Sequence, residues 1–212
     1  MRKAVAVAVG LMVAGLLLLV GIGMVIVPWG TSTYNNLVTL RESVNAQWGQ
    51  VQNVYQRRSD LVPNLVATAK GYAKHEKETF TQVAEARSNA GKINLKASDL
   101  TPENLKKFQA AQGELSSALS RLLAVQERYP DLKANENFQD LMVQLEGTEN
   151  RITVERQKFN EVAKEKNTAI GRFPDNLIAM YFKFEKTPYF EAEKDAKQAP
   201  KVDFSDPPSQ SK

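Results

Sequence analysis

From Ala4 to Val27 the chain runs for 24 residues without a charged side chain. As an α-helix rising about 1.5 Å per residue, this run reaches roughly 36 Å, enough to cross a hydrocarbon core of about 30 Å with some tilt. Pro28-Trp29-Gly30 follows, placing an amphipathic indole where an interface anchor is expected. The length favours a retained anchor over a cleaved leader ending at the small residues Gly21 and Gly23. Arg2 and Lys3 precede the run, and only Arg41 lies shortly beyond it. The positive-inside rule then leaves the N-terminus in the cytoplasm and residues 31–212 outside, in a single-pass membrane protein. Ala6, Gly10 and Ala14 make a face of small side chains that a second span can approach closely. A generic span rich in Ala and Gly is the preferred reading of that face, with self-association as the alternative partnership beside the lipid bilayer.

Composition narrows the chemistry. The chain has no Cys and one His, His75. Disulfides, thiolate metal sites, cysteine nucleophiles and every site needing two imidazoles are thereby excluded. The formal charge of +4 comes from mixed acidic and basic residues along the chain. No stretch gathers Lys and Arg with interleaved aromatics, so nucleic acid is not an expected partner.

Beyond the anchor, apolar residues recur at spacings of three and four. Leu37, Leu40, Val44, Trp48, Val51 and Tyr55 define a first helix, with Thr31-Ser32-Thr33 as candidate caps. Pro63 lacks an N–H and crowds the preceding turn, so the helix must kink or restart there. A second pattern through Leu65, Ala69, Tyr72, Phe80 and Val83 ends near Asn89-Ala90-Gly91, and residues 91–100 read as a loop. Thr101-Pro102 is a start signal for a third helix carrying Leu105, Phe108, Leu115, Leu119 and Leu122, which stops at Arg128-Tyr129-Pro130. The fourth opens near Asn135 and ends at Gly171 and Pro174. Its coiled-coil-like repeat places Phe138, Leu145, Ile152 and Phe159 seven apart.

The expected fold is all-α: one N-terminal transmembrane helix followed by an antiparallel up-and-down four-helix bundle. A turn at Pro63 is preferred because helices of matched length bury one continuous core; a kink there would give three helices instead. With four, the last helix returns toward the membrane. The expected parts are an anchor over 1–30, a bundle over 31–190 and a flexible tail over 191–212. The aromatic stretch from Leu177 to Phe184 is too short to span a membrane, and either plugs the bundle end or lies in the membrane interface; the former is preferred.

Several blocks carry a resemblance. They include Tyr34-Asn35, the run from Gln56-Arg57-Arg58 through Asp60-Leu61-Val62-Pro63-Asn64, and Lys70-Gly71-Tyr72 with His75-Glu76. Ala86-Arg87, Tyr129-Pro130, Ala134-Asn135, the run Glu146 to Ile152, Phe159-Asn160 and Phe173-Pro174 continue it. Together these resemble the LemA family of bacterial membrane proteins over about residues 28–190. The resemblance implies one N-terminal span, an antiparallel helical bundle, and no established enzymatic activity, cofactor or substrate. It also implies two associations, one with membrane remodelling in magnetosome formation and one with membrane-bound metalloproteases. Relatives drawn with the bundle in the cytoplasm leave the opposite orientation open.

The densest polar cluster is Arg57, Arg58, Asp60, Asn64, Lys70, His75 and Glu76. A catalytic reading would make His75 a base oriented by Asp60, but 15 residues of helix separate them by about 22 Å. No catalytic, cofactor-binding or metal-binding residue is therefore assigned. The alternative is that Arg57, Arg58 and Asp60 cap helix ends or pair with Glu146, Glu149 or Arg151 on the fourth helix, fixing register. A third reading makes Arg57, Arg58, Asp60, Asn64, His75, Glu76, Glu149 and Arg151 a docking patch for an unidentified protein. The expected function is a membrane-anchored, non-enzymatic scaffold or adaptor with a role in membrane organisation. The alternative is an accessory regulator of a membrane-bound enzyme such as a metalloprotease.

Overall fold

The computed structural model describes residues 2–191, and the side chains of residues 10–191. The tail expected over 191–212 lies, apart from Glu191, outside the described residues. All regular structure in the described residues is helical. Helix α1 spans Arg2–Tyr72, α2 Lys77–Lys92, α3 Pro102–Gln126, α4 Pro130–Lys133, α5 Glu136–Gly171 and α6 Asp175–Tyr181, with a 3-10 turn at Ala97–Asp99. Helix α1 packs along α5, while α2 packs against α3 and α1.

Two expectations fail along α1, each for a physical reason. The helix does not open at Thr31-Ser32-Thr33, because it runs unbroken from the apolar span into the folded body. The Thr31 hydroxyl instead donates to the carbonyls of Val27 and Pro28, at 3.1 and 3.0 Å, within the helix. Nor does the chain turn at Pro63. A proline inside a helix removes the bond to the carbonyl four residues back, here Ser59. That carbonyl accepts from Arg87 Nε of α2 at 2.8 Å, so the freed acceptor is satisfied and the helix continues. The reversal comes at residues 73–76. There Tyr72 Oη accepts from Asn135 Nδ2, and Glu76 accepts from Arg128 and from the Tyr129 hydroxyl. His75 is exposed in this turn.

Two helix starts follow ordinary capping chemistry. The Thr101 hydroxyl accepts from the Asn104 N–H with Pro102 in the first turn, and Asn135 Oδ1 accepts from the Phe138 N–H. Helix α5 begins beside Tyr72 and returns toward the span, since Asp175 just after it accepts from the Thr33 hydroxyl at 3.0 Å. From Phe184 to Glu191 the chain leaves α6 and follows α5 without regular structure. Asn167 and Asn160, seven apart on α5, each hold this strap twice. The amide of Asn167 exchanges bonds with the backbone N–H and C=O of Thr187, and that of Asn160 does so with Phe190, all at 2.8–3.0 Å.

The core divides along α1. Nearer the span, Val44, Trp48, Val51 and Tyr55 pack with Phe108, Ile152, Phe159 and the strap residue Phe190. Farther out, Leu61, Val62, Leu65 and Ala69 pack with Leu115, Leu119, Leu122, Phe138 and Leu145. Arg58 lies between the two sets.

Candidate functional site

On α1 the buried positions 44, 48, 51, 55, 58, 62, 65 and 69 alternate spacings of four and three. On α3 the positions 105, 108, 112, 115, 119 and 122 do the same. This is the seam pattern of packed helices, and each seam carries one polar residue, Arg58 and Gln112. Only 2% of Arg58 is exposed. Burying a guanidinium is costly, and the cost falls with each donor that finds a partner. Nη1 donates to Ser116 Oγ at 2.7 Å and to the Glu149 carboxylate at 2.8 Å. Nη2 donates to the Gln112 carbonyl at 3.2 Å and to its side-chain oxygen. The guanidinium also lies over the Tyr55 ring, 5.0 Å from its centroid. Glu149 remains partly in water, so the ion pair joins the buried layer to solvent on one side.

The chemistry of this arrangement is structural. Both terminal nitrogens are engaged by α3 and α5, while Nε is buried without a hydrogen-bond partner among the described residues, so no donor fork is aimed at a ligand. One charged group ties three helices at one level, between two apolar cores.

The other residues of the expected patch do not gather around it. Arg57, Asp60 and Asn64 are exposed on the outer face of α1, where Asp60 accepts from Gln56 Nε2 at 2.8 Å. Arg151 is exposed on α5. His75 and Glu76 lie at the far turn, where Glu76 takes Arg128 at 3.2 Å. The cluster that looks dense in sequence is thus spread over three places. Neighbours on a helix point about 100° apart, and α1 continues as a helix past Pro63. Among the described residues no three His, Asp or Glu side chains are grouped closely enough to hold a metal.

Sequence reasoning overlooked several residues that matter here. Gln112 was legible as a polar residue at a seam position, and Arg87 only if the carbonyl freed by Pro63 is traced. Lys166 is a third case. It is buried on α5 and donates to the Thr187 hydroxyl at 2.8 Å. Burial, and to a lesser degree the nearby Arg41, pushes its pKa below the ordinary 10.5, against the opposing pull of Glu185. Glu155 shows the reverse. The Gln47 amide and the Lys158 ammonium donate to it and hold its carboxyl below the ordinary value.

With this geometry in view, comparison with known proteins is informative. The sequence profile described as the LemA family matches residues 47–204. The chain belongs to the LemA family. The matched region takes in Arg58, Arg87, Gln112, Glu149 and the strap asparagines. Curated relatives include Magnetosome protein MamQ of Magnetospirillum gryphiswaldense, 29% identical over 184 residues, covering 79% of this chain and 67% of the relative. Magnetosome protein MamQ 2 of Paramagnetospirillum magneticum is 30% identical over 186 residues with the same coverage. Protein LemA of Metamycoplasma hominis is 23% identical over 158 residues, covering 74% of this chain and 68% of the relative. This LemA-family chain is therefore a helical protein with one N-terminal helix apolar and long enough to cross a membrane.

Proposed function

We propose that this protein is a membrane-anchored, non-enzymatic scaffold or adaptor, with 1–30 as anchor and 31–190 as an up-and-down bundle of four helices. The observation that carries this reading is the continuity of α1. A single 71-residue helix joins the apolar span to the folded body with no linker between them. A body mounted this way holds a fixed height above the bilayer and a fixed azimuth relative to its own span, which suits display of surfaces to partners. The buried polar layer at Arg58 supports the same reading, since it fixes helix register and leaves no donor fork for a ligand. Similarity to proteins named for the magnetosome supports a role in organising membrane. The N-terminus lies in the cytoplasm and the body outside, on the charge asymmetry of Arg2 and Lys3.

The test is photo-crosslinking in living cells from exposed positions Gln56, Lys74 and Lys77, with products identified by mass spectrometry. One dominant non-enzymatic protein supports the adaptor, and products of the chain with itself support a self-associating scaffold. Crosslinks to a membrane-bound protease whose turnover changes when this chain is deleted would replace the scaffold with the accessory regulator. Orientation is read by labelling Val143→Cys in intact cells with a membrane-impermeant maleimide, which the native chain, lacking Cys, cannot take up.

A further inference from the structure

Helix α6 is amphipathic in the wrong sense for a protein surrounded by water. Its polar residues face the body: Asp175 accepts from Thr33, and Asn176 is largely covered with its Oδ1 buried. Ala179 and Ile178 pack inward, while the larger apolar residues of α6 and of its two ends face out. Phe173, Met180 and Tyr181 are 76%, 75% and 78% exposed, with Leu177 and Phe182 about half exposed. Leu177, Met180 and Tyr181 stand at i, i+3 and i+4, one face of the helix. Outside the apolar span, the described residues include ten exposed large hydrophobic side chains, and five of them fall between 173 and 182. A monomeric surface in water rarely gathers them this way.

The height of this patch identifies what covers it. Ile178 Cδ1 lies 3.7 Å from the space a side chain at Gly30 would occupy, and Phe182 packs on Tyr34 with ring centroids 4.6 Å apart. Helix α6 is thus held against α1 between Gly30 and Tyr34. Counting from Val27, the last residue of the uncharged run, these positions stand about 4 to 10 Å up the helix axis. The polar interface of a bilayer occupies about 5–7 Å on each side of the hydrocarbon. Ile178 beside Gly30 therefore sits at headgroup depth, Phe182 beside Tyr34 stands just above it, and the outward face of α6 covers the range between them. Exposed Arg172 and Lys183 flank it at either end, as long cationic side chains do beside an interfacial helix. Bundle-end plugging and interfacial burial are here two faces of the same short helix.

We propose that α6 is a second membrane contact, an interfacial helix whose Phe173, Leu177, Met180 and Tyr181 enter the lipid headgroup layer beside the emerging span. The proposal rests on the reading of residues 4–27 as a membrane anchor. It gives the body two points of attachment, which fixes its tilt and rotation on the bilayer as a single helix cannot.

The full-length chain is reconstituted into vesicles of phosphatidylcholine and phosphatidylglycerol, with an environment-sensitive fluorophore at one substituted cysteine per protein. The positions are Met180→Cys, Tyr181→Cys, Val143→Cys and Val20→Cys. The proposal requires blue-shifted emission at Met180→Cys and Tyr181→Cys, strongly quenched by lipids spin-labelled near the headgroup, while Val143→Cys stays unquenched. Emission at Met180→Cys as red-shifted and unquenched as at Val143→Cys overturns it. So does a blue shift without lipid quenching, which would mean that a second copy covers the patch. Val20→Cys separates this failure from failure of the anchor: deep quenching there with none at Met180→Cys sinks only the interfacial helix, and no quenching there sinks both.

Discussion

At the level of single residues, Arg87 and Pro63 form a compensating pair across two helices. Arg87 Nε donates to the Ser59 carbonyl, the acceptor that Pro63 deprives of its intrahelical donor. Replacing Arg87 by Met keeps much of the aliphatic packing and orphans that carbonyl, for a loss of about 1–3 kcal/mol. If Pro63 is first replaced by Ala, the helix supplies its own donor and the same Arg87→Met change should cost less. A double-mutant cycle from urea unfolding in detergent then gives a coupling of at least about 0.5 kcal/mol. Additive losses would show that the bond does not sustain the helix through Pro63.

Lys166 makes a second residue-scale prediction, in pH. Burial depresses its folded pKa below 10.5, so between that depressed value and 10.5 the unfolded chain binds more protons than the folded one. Stability contributed by this group therefore rises with pH across that window. Below the depressed value the lysine is charged in both states, and the folded protein bears the cost of burying it. Lys166→Met should accordingly stabilise the protein most at neutral pH, with the gain shrinking as pH approaches 10.5. Melting temperatures of the two proteins between pH 7 and 10 check the sign. A difference that stays constant or grows with pH would contradict the assignment.

At the level of elements, the seams decide how much could be read in advance. Helices α3 and α5 were legible because Thr101-Pro102 and Asn135 are local signals whose capping bonds form within three residues. The turn at 73–76 was not, because its contacts come from residues 128, 129 and 135, far along the chain. Pro63 misled for a related reason: the donor that repairs it arrives from another helix. Charge and helix order set Arg57, Arg58 and Asp60 against Glu146, Glu149 or Arg151 without choosing among them, and the structure joins Arg58 to Glu149. Their companions Gln112 and Ser116 needed the seam of α3 to be read for its polar exception.

That exception carries its own prediction. Glu149→Ala leaves a buried guanidinium with neutral partners only, and should cost about 1–3 kcal/mol, moderated because water reaches the Glu149 side. Replacing Arg58 by Met and Gln112 by Leu together removes the whole requirement, and should be neutral or stabilising. The double variant should nevertheless lose register. Disulfide formation between cysteines introduced on α1 and α5 would then occur at pairings one helical turn apart as well as the native one. A destabilisation of the double variant larger than that of Glu149→Ala would mean that the polar layer stabilises the fold outright.

Across the whole molecule, the strap and α1 set how the body is mounted. Phe190 closes the core nearer the span by packing on Trp48 and Phe159, with centroids 6.1 and 5.3 Å away. Phe190→Ala should cost about 3–5 kcal/mol, read by unfolding of the full chain. The mounting itself is tested by height. A polar helical spacer of about seven residues between Val27 and Pro28 preserves the azimuth to within about 20° and raises the body by about 10 Å. That rise exceeds the depth of the headgroup layer, while every contact within residues 28–191 is retained. The melting temperature of the body should stay unchanged, and a fluorophore at Met180→Cys should lose its quenching by headgroup-labelled lipid. Quenching that survives the spacer would mean that α1 bends or that the body tilts to keep α6 down. The unbroken helix would then be a tether rather than a strut.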